Sequence, residues 1–499
     1  MSEPEELSEA QLWELTADED EVVRAEAFMD LATKMHARGS YAEAVGPAAA
    51  SRELFAKLDR PFDEGRASFI EGIVLQDAGR EGEALAPLVR ATELYRIYAS
   101  EEMLADAIKK QADVLLELNR LEEAHEAFQS AIRLYESNGK YTMAGISALD
   151  LGESQGGENQ QDKALETFVE ALRLFKEGGD YIGSGRAHDR IAAALIDLGN
   201  LEDAISHLRE SLNIFEYIND NLRIAYSRYR LGWTLVTYGD FGQAIPLLRQ
   251  ASQMYKERNK FLDAAQADTQ LAHALAAIGQ EDEALALYSQ TRSLYDASGK
   301  VHDALIADVN AAGRLVGRDV LAAIDIYRRV MPVAKETDDQ YILMASIVRL
   351  AEALCKLGES ENYAEALELL NSISPDDWGH DLAQRSRHLN VLAYTLIELN
   401  RDDDAEVHIR QVLNLGLESG FLSESAEATR MLGLIEQARG REESSNQLVA
   451  QAIALYLAAG EDEKARTLSH RLLPTATPTP QDILRSESPA IEADMSQSD

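Results

Sequence analysis

Residues 231–255, LGWTLVTYGDFGQAIPLLRQASQMY, and residues 271–295, LAHALAAIGQEDEALALYSQTRSLY, carry one pattern forty residues apart. Leu231 answers Leu271, Gly232 answers Ala272, Gly239 answers Gly279, Ala244 answers Ala284 and Tyr255 answers Tyr295. Reading outward, the alanine recurs at Ala44, Ala84, Ala124, Ala164, Ala204, Ala244 and Ala284. Eleven residues after each stands an aromatic: Phe55, Tyr95, Tyr135, Phe175, Phe215, Tyr255 and Tyr295. Alanine is common in this chain, so one match would mean little. Two residue classes holding one interval over seven cycles mark a stacked-repeat architecture.

Twelve residues before the alanines lie Ala32, Gly72, Ala112, Gly152, Ala192, Gly232 and Ala272, all small. Between the small residue and the alanine comes a turn signal, as in Gly199-Asn200, Gly239-Asp240 and Gly279-Gln280. Glycine ends one helix there, and acids such as Glu202, Asp203 and Glu283 open the next at the positive end of its dipole. Each period therefore predicts two antiparallel helices joined by a short turn. The small residues are expected where the helices of one pair cross. The larger residues four positions after the alanines (Leu88, Phe128, Phe168, Leu208, Leu248, Tyr288) are expected to fill the space between neighbouring pairs.

At these positions the chain resembles the tetratricopeptide repeats, in a long-period variant of about forty residues. The matching residues are Leu231-Gly232, Leu271-Ala272 and Leu392-Ala393 in first helices. They continue with Glu123-Ala124, Gln243-Ala244 and Glu283-Ala284 in second helices, and with Ala91, Ala131, Ala171, Ser211 and Ala251 seven residues on. The resemblance covers residues 19 to 472. It implies an all-α, right-handed superhelical solenoid of about eleven antiparallel helix pairs. It says little about function, because this fold hosts many unrelated tasks.

The expected organisation is an acidic N-terminal cap over 1–18, a regular seven-repeat array over 19–299, irregular repeats over 300–381, C-terminal repeats with a capping helix over 382–473, and a disordered tail over 474–499. In the cap, a short helix around Glu5 to Leu15 offers Leu7, Leu12 and Trp13 to cover the end of the stack. Beyond Ala284 the period loosens, through Ala323, Ala366, Ala405 and Ser445. Pro332, Pro375 and Trp378 interrupt it, and proline inside a helix removes a hydrogen bond. These departures read either as a packing irregularity or as a hinge between two sub-arrays. Past Pro474 the chain is rich in Pro, Thr, Ser and Asp and poor in residues able to pack.

The net charge is −39 over 499 residues. Phosphate backbones are bound through cationic surfaces, so nucleic acid is not an expected partner. Anionic membranes are disfavoured likewise, and no apolar run approaches the roughly twenty residues that span a bilayer. The N-terminus lacks the positive segment and apolar run of a secretory signal. The expected location is cytoplasmic. The single cysteine, Cys355, excludes a disulfide framework and a thiolate zinc site.

No catalytic, cofactor-binding or metal-ligating set emerges. The histidines are scattered, and Gly156-Gly157 and Gly178-Gly179 lack the lysine and strand of a phosphate loop. Asp402, Asp403 and Asp404 lack the glycine and distal glutamate of a calcium loop. The chain is therefore expected not to be an enzyme, and Cys355 to be a small buried residue.

That leaves binding. In the resembled family the first helices line a concave groove, and positions six, three and two before and one after the small residue face inward. Here these positions hold Arg186, Asp189, Arg190 and Ala193 in repeat five, and Tyr226, Tyr229, Arg230 and Trp233 in repeat six. Repeat seven supplies Gln266, Thr269, Gln270 and His273, and repeat three Lys109 and Lys110. The candidate partner-binding set is Arg186, Arg190, Tyr226, Tyr229, Arg230, Trp233 and His273, since arginine and aromatic side chains serve as binding anchors. The same residues could instead pack between helices or pair with neighbours such as Asp189. The family's clamp for a C-terminal carboxylate uses lysine and asparagine; here Lys109 is followed by Asp113 where asparagine would stand, which argues against a chaperone-tail clamp.

Two function classes follow. One is a non-catalytic scaffold or adaptor whose groove binds a peptide segment of another protein. The other is a ligand- or peptide-sensing regulatory module; with 18 residues before the first repeat and a short tail, it would act on a separate effector. The expected partner is a protein or peptide, a small molecule being the other ligand of the sensor class, and the oligomeric state stays open.

Overall fold

The computed structural model describes residues 7–469. The expected disordered tail 474–499, the first residues of the N-terminal cap and the end of the last capping helix lie outside the described residues. The chain divides into two compact units, Met1–Gln270 and Leu271–Asp499, with the boundary inside one helix, Phe261–Ala277.

In the first unit a short helix α1 (Glu9–Leu15) precedes six pairs. They are α2 (Glu21–Ala37) with α3 (Tyr41–Lys57), α4 (Pro61–Asp77) with α5 (Glu81–Tyr98), and α6 (Glu101–Glu117) with α7 (Leu121–Ser137). Then come α8 (Tyr141–Gly157) with α9 (Gln161–Glu177), α10 (Tyr181–Asp197) with α11 (Leu201–Tyr217), and α12 (Asn221–Tyr238) with α13 (Phe241–Lys256). The boundary helix α14 (Phe261–Ala277) is followed by α15 (Glu281–Ala297). The second unit continues with α16 (Val301–Leu315) and α17 (Val320–Glu336), α18 (Gln340–Leu357) and α19 (Ser360–Asn371). It ends with α20 (Leu382–Glu398) and α21 (Asp402–Ser419), α22 (Leu422–Ala438) and α23 (Glu442–Ala458), and a last helix α24 (Asp462–Ser469). The described residues thus form eleven helix pairs and contain no strand.

The turns repeat at half the period. Every twentieth residue from Gly39 to Gly299 has positive φ except Ala99, and each is Gly, Asn or Asp: Asp59, Asn119, Asn159, Asn219 and Asn259 take the left-handed conformation beside the glycines. Only residues of this kind adopt it cheaply, and it closes the helix end. At the exception, α5 runs on to Tyr98 and Ser100 caps α6 by accepting from the Met103 amide.

Packing explains the small residues. A side chain at Gly232 would place its Cβ 2.6 Å from Leu248 Cγ, and one at Gly152 would meet the Phe168 ring at 2.5 Å. The residue four after the alanine therefore sits against the small residue of its own pair. It also reaches the next pair, as Leu88 does by sharing a cluster with Val114. The aromatic register is equally close. Phe175 is wholly buried, held between Gly145 of its own pair, where a Cβ would meet its ring at 2.8 Å, and Gly183 of the next.

The ends differ in detail from expectation. Of the three residues offered by α1, only Leu12 is buried, with Leu31, Met35, Ala44 and Val74. Leu7 and Trp13 stay 41% and 47% exposed, because Leu7 precedes the Ser8 cap and Trp13 points a third of a turn away from Leu12. At the other end Ala465 and Leu468 of α24 pack on Ala426, Ala452 and Tyr456. Pro332 lies inside α17 without dividing it, and Pro375 opens a short 3-10 turn, Pro375–Trp378, that buries Trp378.

Candidate functional site

Two surface depressions lie on the first helices, which also carry the expected groove positions. In the first unit, a depression of about 450 Å³ is lined from α4, α6 and α8. It is acidic: Lys109 Nζ lies 3.0 Å from Asp113 and 3.0 Å from Asp150, and Lys110 is 3.7 Å from Asp113. The positive charge of repeat three is thus taken up by its own neighbours.

Two repeats further along, the balance changes. Arg186 is exposed and makes no ion pair among the described residues, while Arg190 reaches back one repeat to Glu153 at 2.8 Å. Between them on α10, the Asp189 carboxyl is pushed up to about 6 by burial, against the hydrogen bond from Ser211 and the charges of Arg230 and Arg190. Its buried Oδ1 accepts no hydrogen bond.

Arg230 of α12 lies against two rings, with its guanidinium carbon 5.9 Å from the Tyr226 centroid and 5.8 Å from that of Trp233. One Nη donates to the Tyr226 hydroxyl at 3.3 Å, and the buried Nε donates to nothing. Tyr226, Arg230 and Trp233 recur at helical spacing, so one face of α12 presents an arginine held between aromatics. Tyr229 turns instead toward a core cluster with Ala225, Ala251, Tyr255, Ala264 and Ala267, and burial pushes its phenol up. His273 belongs to the second unit, with its ring 5.6 Å from that of Tyr288; burial and the Arg314 charge push its imidazole down, against a hydrogen bond to Asn310.

The second unit holds a depression that the sequence reading passed over. A cavity of about 640 Å³ opens between α18, α20, α22 and α24, with Arg387, Asn390, Tyr394, Glu427 and Arg430 in its wall. The groove offsets applied to Ala393 return Arg387, Asn390, Val391 and Tyr394; applied to Gly433 they return Glu427 and Arg430. The signal is present in the sequence, but in repeats whose period departs from forty residues. Cys355 also borders this cavity, 5% exposed, with Sγ 3.3 Å from Thr395 Oγ1 and its thiol pushed up to about 11 by burial. A thiol so placed stays protonated at neutral pH. Among the described residues no group of three or more His, Cys, Asp or Glu could hold a metal ion, and no helix is long and apolar enough to cross a membrane.

Residues 184–257, which include this arginine-aromatic face, match the tetratricopeptide repeat family. The pairs from α10 to α13 within that stretch are similar to tetratricopeptide repeats. No curated protein matches the chain by sequence. Among solved structures, the chain is similar to a signal transduction ATPase with numerous domains and a tetratricopeptide repeat sensor from Pyrococcus horikoshii. That match has 12% identity and a TM-score of 0.48, covering 89% of this chain and 74% of the other. It is also similar to the apo form of RapI (14% identity, 55% and 99% covered, TM-score 0.41). A third is BtubC from P. vanneervenii (15% identity, 44% and 90% covered, TM-score 0.38). Tetratricopeptide repeats mediate protein–protein interaction in general.

Proposed function

We propose that the chain is a non-catalytic interaction scaffold whose first-helix face over repeats five and six binds an extended segment of a partner protein. The observation that carries this reading is Arg230: a guanidinium oriented between Tyr226 and Trp233, with its Nε and the nearby Asp189 Oδ1 both lacking hydrogen-bond partners. Buried polar groups are normally satisfied, and a peptide segment supplies both an acceptor for the one and an N–H for the other. Arg186, exposed and without an ion pair among the described residues, favours a segment with carboxylates, while the aromatic rings favour apolar neighbours.

The preferred ligand is therefore an acidic, apolar, extended peptide, despite the net charge of −39. The test is fluorescence anisotropy with a library of labelled acidic-apolar peptides and its lysine-substituted counterpart. Binding of the acidic library, lost in Arg186→Ala and Arg230→Ala with helicity unchanged, is the expected result. Preference for the lysine library, or binding untouched by both substitutions, would overturn the reading.

A further inference from the structure

The cavity of the second unit has unbalanced polar groups of its own, away from the face just described. Its volume of about 640 Å³ lies within the range of small-molecule sites. Asn390 is buried, at 8% exposure; its Nδ2 donates to the Glu424 backbone carbonyl at 3.2 Å, whereas its Oδ1 accepts from nothing. The Glu424 carbonyl lies in the first turn of α22, where the helix itself supplies a donor. The Asn390 side chain is thus not needed to satisfy that carbonyl.

The opposite imbalance lies one turn away. Arg387 stands three residues before Asn390, hence on the same helix face. The carboxylate recorded beside it, Glu352, is at 3.5 Å, a long approach for a salt bridge. Behind it is a second guanidinium, Arg349, whose buried Nε donates to nothing. Burial and the charge of Arg387 together hold Arg349 below the usual arginine range, against the opposing effects of Tyr327 and Glu352. Two guanidiniums that share one carboxylate, Glu352, leave a positive charge over, which suits an anionic ligand. On the far wall Glu424 makes no ion pair among the described residues, while Glu427 is engaged by Arg430 and Tyr456, and Glu461 by Lys464 at 2.9 Å.

We propose that this cavity binds a small free zwitterion of amino-acid type, its carboxylate held by Arg387 with Arg349 behind, its ammonium held by the Asn390 side-chain oxygen and the Glu424 carboxylate. A phosphomonoester dianion fits less well, because it would face Glu352 and Glu424 without offering a donor to Asn390. Such a site makes the second unit a receptor for small solutes, independent of any peptide on the first.

The experiment is titration calorimetry of the full chain against each proteinogenic amino acid and its N-acetyl amide, which lacks both charges. At least one free amino acid is expected to bind while its N-acetyl amide does not. Arg387→Gln and Glu424→Gln should each weaken binding by roughly tenfold or more. Asn390→Leu should abolish binding yet leave the melting temperature unchanged or higher, because it removes an unpaired buried acceptor. The proposal is overturned if no free amino acid binds, if binding survives Asn390→Leu, or if Asn390→Leu lowers the melting temperature sharply. Binding confined to longer peptides with a free C-terminus also overturns it. Glu424→Gln keeps the test decisive should Arg387→Gln fail to fold.

Discussion

Single residues in this chain act by the room they leave. Gly232 faces Leu248 at a distance that admits no Cβ, so Gly232→Leu forces two helices apart. The expected destabilisation is about 1–3 kcal/mol, read as a lower denaturant midpoint in equilibrium unfolding. Removing the filling side chain has the larger effect. Phe175→Ala should cost about 3–5 kcal/mol, since the ring is held by two successive pairs. His388 offers a test of a different kind. It is fully buried, accepts from Trp378 Nε1 on Nδ1 at 3.3 Å, and faces the Leu370 carbonyl through Nε2 at 3.1 Å. Burial pushes it down to about 4, with His408 adding to the effect and the Leu370 bond and Asp377 opposing it. The unfolded chain therefore takes up the proton first, near its ordinary value of about 6.5. The stability contributed by neutral His388 is complete above that value and is lost as pH falls toward 4, by roughly 3 kcal/mol. His188 repeats the pattern, pushed down to about 4 by burial and by His207, whose Nδ1 lies 2.9 Å from its own. Unfolding midpoints compared at about pH 7 and about pH 5 should differ less in His388→Gln than in the parent.

At the scale of the element, the unit of construction is a helix pair closed by a left-handed residue. Asn219, at φ 56°, ends α11 where an alanine would be strained. Asn219→Ala should cost about 1–2 kcal/mol and Asn219→Gly much less, as measured by thermal unfolding. A helix pair borrows most of its core from the pairs on either side, so damage should remain local. In Gly232→Leu, hydrogen exchange should accelerate first over α10 to α13; uniform acceleration across the first unit would contradict this. The irregular repeats follow the same logic with one addition. The Pro375–Trp378 turn inserts Trp378 beside His388, filling space that the shortened α19 (Ser360–Asn371) leaves open.

For the whole molecule the question is how a chain of charge −39 selects its partners. Charges separated by more than about 8 Å are largely screened at physiological salt, so the surface near each binding group decides. Around Lys109 that surface is acidic and self-compensated; around Arg230 it is cationic and aromatic. Partner binding through the latter face should fall strongly in Arg186→Ala with Arg230→Ala and vary only modestly with salt. Binding that survives the double substitution and collapses with added salt would place the contact on the acidic outer surface instead. The repeat itself was legible in the chain, because a forty-residue period reflects helix lengths and close crossings, which residue size dictates locally. The groove offsets came from the resemblance to tetratricopeptide repeats instead, and those that name Arg230 also name Arg387 and Asn390. What periodicity could not say is which of those side chains is already satisfied. That depends on partners one repeat away: Glu153 for Arg190, Asp150 for Lys109, the core cluster for Tyr229. Pairing across repeats follows from distances that exist only once helices are stacked, and so the tertiary structure alone separated the side chains that have partners from those that have none among the described residues.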